Sequence, residues 1–447
     1  MKMFFKKHIG LIIFMILVLL FPVSLSNQAK LNMKVIVTGL AIDKVDDEFE
    51  VTAQIVKNTP GTESPGTSAA MEFITDKAKT ISLALANLSY RSGKVAAYSH
   101  TNFIILGDSM KNDAVTCLDY FVRDQIVKSS TMILFSKGSA SEEIQKTKNV
   151  ELSVGLNLQK VFLFKERESD ALMVTVMQFL KHSKTASNSA FASTVVFKPN
   201  ETSAGKDSSS ESSNSGGGGS KSSGSSGSSE SSSSGSGNGG QGSAGSSNSS
   251  TSSGQRSSGS GGSGGSESSS QLFETQSPIY CFKNGKFVME LSDDEFLGYI
   301  LMNKKTLTSD LVVDNIESEK LKDSKASINI KHKTSTKHVR FENGTPVLDL
   351  QLKITNAEVN EIVGGENQGV LSNEEYEAIK KAIRQKISEL AAKTFASAKQ
   401  NGIDVFGAYD SAYKFSYDKT KHFDSPDEFL EKLKFGGVTV IVTKLDS

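Results

Sequence analysis

The 447-residue chain has no Trp and only two Cys, and its 50 Lys and Arg residues are matched by 50 Asp and Glu. Two Cys in so long a chain exclude a disulfide-built scaffold. Zero net charge excludes the basic surface that broad nucleic-acid binding needs, so no nucleic-acid partner is expected. Apolar residues are also scarce, at 37%, but the shortage is local. Residues 201–270 hold 53 Ser or Gly among 70, and only Ala204 and Ala244 belong to the hydrophobic set. Without this tract the remainder is about 43% hydrophobic, an ordinary value for folded protein. The chain therefore has two blocks long enough to bury cores, separated by a segment that cannot bury one.

A long apolar run occurs at the amino end. Lys2, Lys6 and Lys7 precede Ile9–Phe21, which is interrupted only by Gly10; Pro22 and Ser24-Leu25-Ser26 follow. Extended to Leu25 the run reaches 17 residues, the lower limit for a membrane span. Residues 1–26 thus read as a cleaved signal peptide or an uncleaved anchor, and the lysines favour an outward-facing remainder in both cases. No Cys lies near the end of the run, so there is no lipobox and no lipidation site.

In the first block, Val35–Ile42 and Phe49–Val56 read as a hairpin around the polar turn Asp43–Glu48. Apolar residues at Met71, Ile74, Ala78, Ile81, Leu85 and Leu88 predict a helix with one buried face. Phe103–Leu106 and Thr131–Phe135 read as short strands. Asp108 is the expected cap of a helix with Val115, Leu118 and Val122 inside. Ser139–Lys146 and Leu172–Leu180 read as further helices, and the alternation indicates a mixed α/β domain.

The Ser/Gly tract has no periodicity and no Pro, and it reads as a disordered coil with an r.m.s. span of about 45–50 Å. Its flanks argue against a simple linker. Phe191–Phe197 is strand-like, and Ile279–Phe282 and Phe287–Leu291 flank Asn284-Gly285, a strong hairpin signal. If these runs pair, the tract is a loop inside one small domain, and loop entropy grows slowly enough to permit it. Downstream, Asp293–Met302 reads as a helix and Ala326–Ile330, Val339–Phe341 and Val347–Ile354 as strands. Ser372 and Glu375 form a capping box for a long helix 372–401, with Gly402 as its C′ residue. Ser425-Pro426 opens another helix, and Val438–Thr443 closes the chain as a strand. The expected fold class is α+β: multi-domain, mixed α/β, with the long disordered insertion and the amino-terminal apolar segment.

Chemistry-bearing residues do not cluster. His8, His100, His182, His332, His338 and His422 show no zinc spacing, and His332 and His338 fall on neighbouring predicted strands among lysines. Cys117 and Cys281 could pair in an exported chain, although one sits mid-helix and the other in a different domain; otherwise each is a small buried hydrophobe. Gly216–Gly219 lacks the strand and helix of a phosphate loop. Asp404 and the pair Asp293/Asp294 read as caps or solvated charges, and Arg123-Asp124 as a local ion pair. No catalytic, metal or cofactor-binding residue is assigned, no cofactor is expected, and the ligand-binding residues are unknown.

Several segments together resemble the Ger(x)C family, the C subunits of nutrient germinant receptors of endospore-forming bacteria. They are Val37–Asp43 with Glu50–Val56, Thr80–Ala84, Tyr98–His100, Phe103–Gly107, Leu118–Asp124 and Ser136–Ala140, then Tyr280–Leu291, Gly298, Asp404–Gly407 and the terminal strand. Each motif is weak alone, and their shared order carries the match. The resemblance implies about three small domains: 30–190, 191–315 interrupted by the loop 201–271, and 316–447. It implies a non-enzymatic subunit on the outer face of the spore inner membrane, acting with integral-membrane partner subunits in germinant-triggered germination. The missing lipobox Cys departs from the family pattern, and an uncleaved anchor could replace the lipid. His100 and Arg123 match family positions without an assigned catalytic role. The alternative from the residues alone is a secreted or surface-anchored adhesion module with a Ser/Gly stalk.

Overall fold

The computed structural model describes residues 15, 33–56, 71–147, 158–160, 162–163, 166, 171–197, 273–274, 279–303, 308–364 and 370–446. The expected signal or anchor at 1–26, except Met15, and the Ser/Gly loop 201–271 lie outside these residues.

The first hairpin forms as read, from β1 (Lys34–Val45) and β2 (Glu48–Val56), with Asp46 and Asp47 supplying the left-handed turn. The run 71–88 is not one helix. Met71–Ala78 is a strand, β3, paired along the free edge of β2, and only Ile81–Ser92 is helical (α1), starting at the Thr80 cap. The helical spacing of Met71, Ile74 and Ala78 coincides with a stretch whose backbone groups are satisfied by the neighbouring strand. β4 (Val95–Ala97) lies beside the start of β1, and β5 (Phe103–Leu106) and β6 (Met132–Phe135) continue the sheet in parallel.

Helix α2 (Ala114–Arg123) begins after Asp113, five residues beyond the expected cap Asp108, which opens a separate 3-10 turn. Its buried face is Ala114, Cys117, Leu118 and Phe121, with Val115 and Val122 at the margin. Ser139 caps α3 (Ala140–Gln145). The 172–180 helix starts late, as α4 (Val176–His182), because Thr175 and Gln178 form a capping box there and Ile133 N–H takes the Val174 carbonyl.

β7 (Ser189–Ser193) pairs antiparallel with β10 (Ile279–Lys283), across the Ser/Gly tract in sequence. Just outside that pair, β8 (Val196–Phe197) meets β9 (Phe273–Glu274). β10 turns into β11 (Lys286–Glu290) through Asn284 and Gly285, both at positive φ. The second sheet is therefore β11-β10-β7, followed by α5 (Asp293–Asn303).

The third sheet runs β12 (Ser309–Val313), β13 (Lys325–Glu342), β14 (Thr345–Val363) and β15 (Lys434–Val442), with β16 (Leu445–Asp446) beside β14. The two runs expected at 326–330 and 339–341 are one 18-residue strand, so His332 and His338 share β13 rather than lying on neighbouring strands; both are exposed. Helix α6 (Asn373–Gln400) carries the Ser372–Glu375 capping box and buries Ile379, Ile383, Ile387 and Leu390, and Gly402 follows it at φ +68°. Then come α7 (Ala408–Phe415), α8 (Tyr417–Thr420) and α9 (Pro426–Lys432), the last capped by Ser425 with Pro in its first turn.

The architecture is α+β. One continuous apolar cluster runs from β1 and α1 through Phe282 and Tyr299 to α6 and Phe429. A smaller cluster covers the other face of the first sheet, around Phe103, Leu134 and Phe162. Among the described residues no helix is long and apolar enough to cross a membrane.

Candidate functional site

A cavity of about 290 Å³ opens where the 172–191 segment, Tyr299 of α5, Lys337 of β13 and the 404–410 turn converge. The turn is shaped by Asp404, which is only 4% exposed. Its two carboxylate oxygens accept from Ala408 N–H at 2.7 Å and Tyr409 N–H at 2.8 Å, satisfying donors of the first turn of α7. Gly407 sits at φ +64°, and a Cβ there would stand 3.0 Å from the Lys337 Nζ, so the position favours glycine on two counts. The Lys337 ammonium donates to the Phe406 carbonyl. Across the cavity, Asp410 accepts from Ser187 N–H at 2.9 Å and Ser187 Oγ–H at 2.8 Å.

Burial dominates the electrostatics. Desolvation pushes the Asp404 carboxyl up to about 6, against the two N–H donors and the Lys337 charge that favour its ionised form. Lys337 retains exposed surface as a residue, but its ammonium end is desolvated. Its pKa is pushed down for that reason, with Asp404 and Asp410 opposing the shift. One lysine and two carboxylates thus face a partly apolar wall that includes Leu172, Val174 and Phe191. Asp404, Asp410 and Lys337 bond to protein groups, so the arrangement positions the turn against the 187 loop. It does not pair a nucleophile with a base.

Of the residues singled out from sequence, Asp404 and His182 line this cavity. His100 is exposed in the 3-10 turn Tyr98–His100, and His422 is exposed after α8. Arg123 lies 3.6 Å from both Asp119 and Asp124, all exposed. Asp293 and Asp294 stand in the first turn of α5, and a 2.7 Å bond from Lys393 holds the Asp294 carboxyl below its usual range. Cys117 and Cys281 are separate free thiols, and burial pushes both pKa values far up, which removes thiolate reactivity. His8 lies outside the described residues. Among the described residues no group of three or more His, Cys, Asp or Glu side chains could hold a metal. Asp410, Ser187, Lys337 and Tyr299 were not singled out from sequence; Lys337 is one of four lysines on β13, and no local pattern separates it from the others.

Comparison with known proteins supplies what the cavity chemistry does not. Residues 27–196 match the profile of a spore germination protein N-terminal domain. Residues 279–439 match the spore germination B3/GerAC-like C-terminal profile. No curated protein matches. The crystal structure of the GerBC protein aligns over 91% of this chain and 97% of its own, at 13% identity and a TM-score of 0.46. The two profiles follow one another in family order and leave out the Ser/Gly tract that separates them. The chain belongs to the Ger(x)C family of spore germination proteins.

Proposed function

We propose that the protein is a non-enzymatic subunit of a nutrient germinant receptor complex. In this reading it stands on the outer side of the spore inner membrane, held there by residues 1–26, and works with integral-membrane partner subunits. The ordered match of both family domains carries the reading. The chemistry of the described residues supports it, since the buried carboxylate and lysine of the cavity serve as structural partners of the backbone.

The same reading divides the chain into domains 30–190, 191–315 and 316–447, with the Ser/Gly tract as a loop inside the second. The β7–β10 pair supports that placement, because a stalk between independent domains would not have neighbouring strands of one sheet on either side. The test is a deletion strain whose spores are exposed to a panel of single nutrients. Loss of the response to at least one nutrient, with the membrane subunits co-purifying with the wild-type chain, is the expected result. Normal germination on every nutrient would overturn the proposal.

A further inference from the structure

The cavity at the 404–410 turn has more bonding capacity than its own residues use. A lysine ammonium carries three N–H donors, and Lys337 spends one of them on the Phe406 carbonyl. A carboxylate offers about four lone-pair positions, and on Asp410 the N–H and Oγ–H of Ser187 take one on each oxygen. Asp404 is committed to the first turn of α7. Both carboxylates act on the Lys337 charge, yet among the described residues Lys337 forms no direct ion pair with either. Opposite charges that line one cavity without touching leave a gap between them.

The charges constrain what fills that gap. The lining sets Lys337 alone against Asp404 and Asp410. A plain carboxylate entering the cavity would meet two like charges, and a plain amine would meet the lysine. A zwitterion answers both, with its carboxylate on the spare donors of Lys337 and its ammonium on the spare lone pairs of Asp410.

The remaining surroundings suit an apolar body. Leu172, Val174, Phe191 and the Tyr299 ring all line the cavity and are buried. Small-molecule sites have this form, an apolar lining with a few placed polar groups, and they favour junctions between separate parts of a fold. At about 290 Å³ the space falls just below the range for drug-sized ligands, so it suits a molecule of amino-acid size. Gln178 and His182 of α4 also line it and are exposed, so it opens to solvent.

We propose that this cavity binds a small zwitterion with an apolar body, such as an aliphatic α-amino acid, with its carboxylate on Lys337, its ammonium on Asp410 and its side chain against Leu172, Val174 and Phe191. A ligand held in this way joins the 172–191 segment to β13 and the 404–410 turn. The test is isothermal titration calorimetry of the full-length protein in detergent with L-leucine and three analogues that each lack one part. 4-Methylpentanoate lacks the ammonium, 3-methylbutylamine lacks the carboxylate, and glycine lacks the apolar body.

L-Leucine should bind at a single site, and each analogue at least about tenfold more weakly, the loss expected for one charge-assisted contact or one buried side chain. Lys337→Met protein should bind L-leucine no better than the wild type binds 3-methylbutylamine. Asp410→Asn, which keeps an acceptor for the Ser187 N–H, should bind it no better than the wild type binds 4-methylpentanoate. Failure of L-leucine to bind at millimolar concentration overturns the proposal. Equal binding of L-leucine and the three analogues also overturns it, as does binding that survives both substitutions unchanged. Where a substituted protein fails to fold, the analogue comparison on the wild type decides. These outcomes leave untouched the receptor-subunit reading, which the nutrient panel decides.

Discussion

Lys333 is the sharpest point at which the physical reasoning can be broken. It is 1% exposed, in the middle of β13, and its ammonium donates to the carbonyls of Ile300 at 3.1 Å and Leu301 at 3.2 Å in the last turn of α5. Those carbonyls lack intrahelical partners, and a cation there also faces the negative end of the helix dipole. Desolvation nevertheless wins and pushes the ammonium pKa down from 10.5 to about 8. Between these values the unfolded chain holds the proton and the native protein does not. Stability therefore rises with pH across that window, while below pH 8 the native state carries the full cost. A shift of this size corresponds to about 3 kcal/mol.

Lys333→Met keeps most of the side-chain volume and deletes the titration. Near neutral pH its net effect should be small, because relief of the buried charge is offset by about 1.5–3 kcal/mol for the lost charge-assisted hydrogen bonds. The decisive measurement is urea unfolding, followed by far-UV circular dichroism, at several pH values from 8 to 10.5. The wild type should gain up to about 3 kcal/mol relative to Lys333→Met across that interval. Parallel stability curves for the two proteins would refute the claim that this ammonium is buried in its charged form at neutral pH.

Asp404 titrates with the opposite sign. Its native pKa of about 6 lies above the ordinary carboxyl value of 3.8, so the native state binds the proton first and stability rises as pH falls through that window. Asp404→Asn should flatten the pH dependence between 4 and 6 by about 3 kcal/mol, read from the same unfolding curves. Gly298 lets α5 approach α6, since a Cβ would stand 2.3 Å from Thr394 Oγ1 and 2.7 Å from the Leu390 carbonyl oxygen. Gly298→Ala should cost about 1–3 kcal/mol, and an unchanged urea midpoint would show that the helices separate freely. Limited proteolysis within the Ser/Gly tract should leave two fragments that co-elute on gel filtration, held by the β7–β10 pair; separately eluting folded halves would contradict the intradomain loop.

Local signals carried most of the elements and few of the contacts. Asn284-Gly285 was legible as a turn because clear apolar runs flank it. Asn343-Gly344 makes the same turn at positive φ, but the run before it is rich in Lys, Thr and His and does not alternate like a buried strand. Lys333 was hidden for a related reason. Register shifts around His332 turn Lys333 inward, so a residue that should face solvent reaches the end of α5. Asp404 read as a cap or a solvated charge and proves to be a buried acceptor for the first turn of α7, but Ser187 and Asp410 lie 223 residues apart, and no local pattern announces their contact. The helix expected from residue 71 failed because a three- and four-residue spacing cannot reveal that β2 has a free edge waiting for a partner.

The distance in sequence between β7 and β10 is also an interval of time. At ribosomal rates of about 5–20 residues per second, the stretch between Ser193 and Ile279 takes about 4–17 s to emerge. Throughout that interval the edge of β7 that β10 will cover is available to any strand nearby. Within the intervening sequence, residues 201–270 contribute only Ala204 and Ala244 from the hydrophobic set, with Thr202 and Thr251 as the β-branched residues, so little in the tract could compete for that edge. A tract of this composition keeps the nascent edge vacant for its native partner, so replacing it with an equally long but strand-forming sequence would endanger assembly during synthesis even if the finished fold tolerated it.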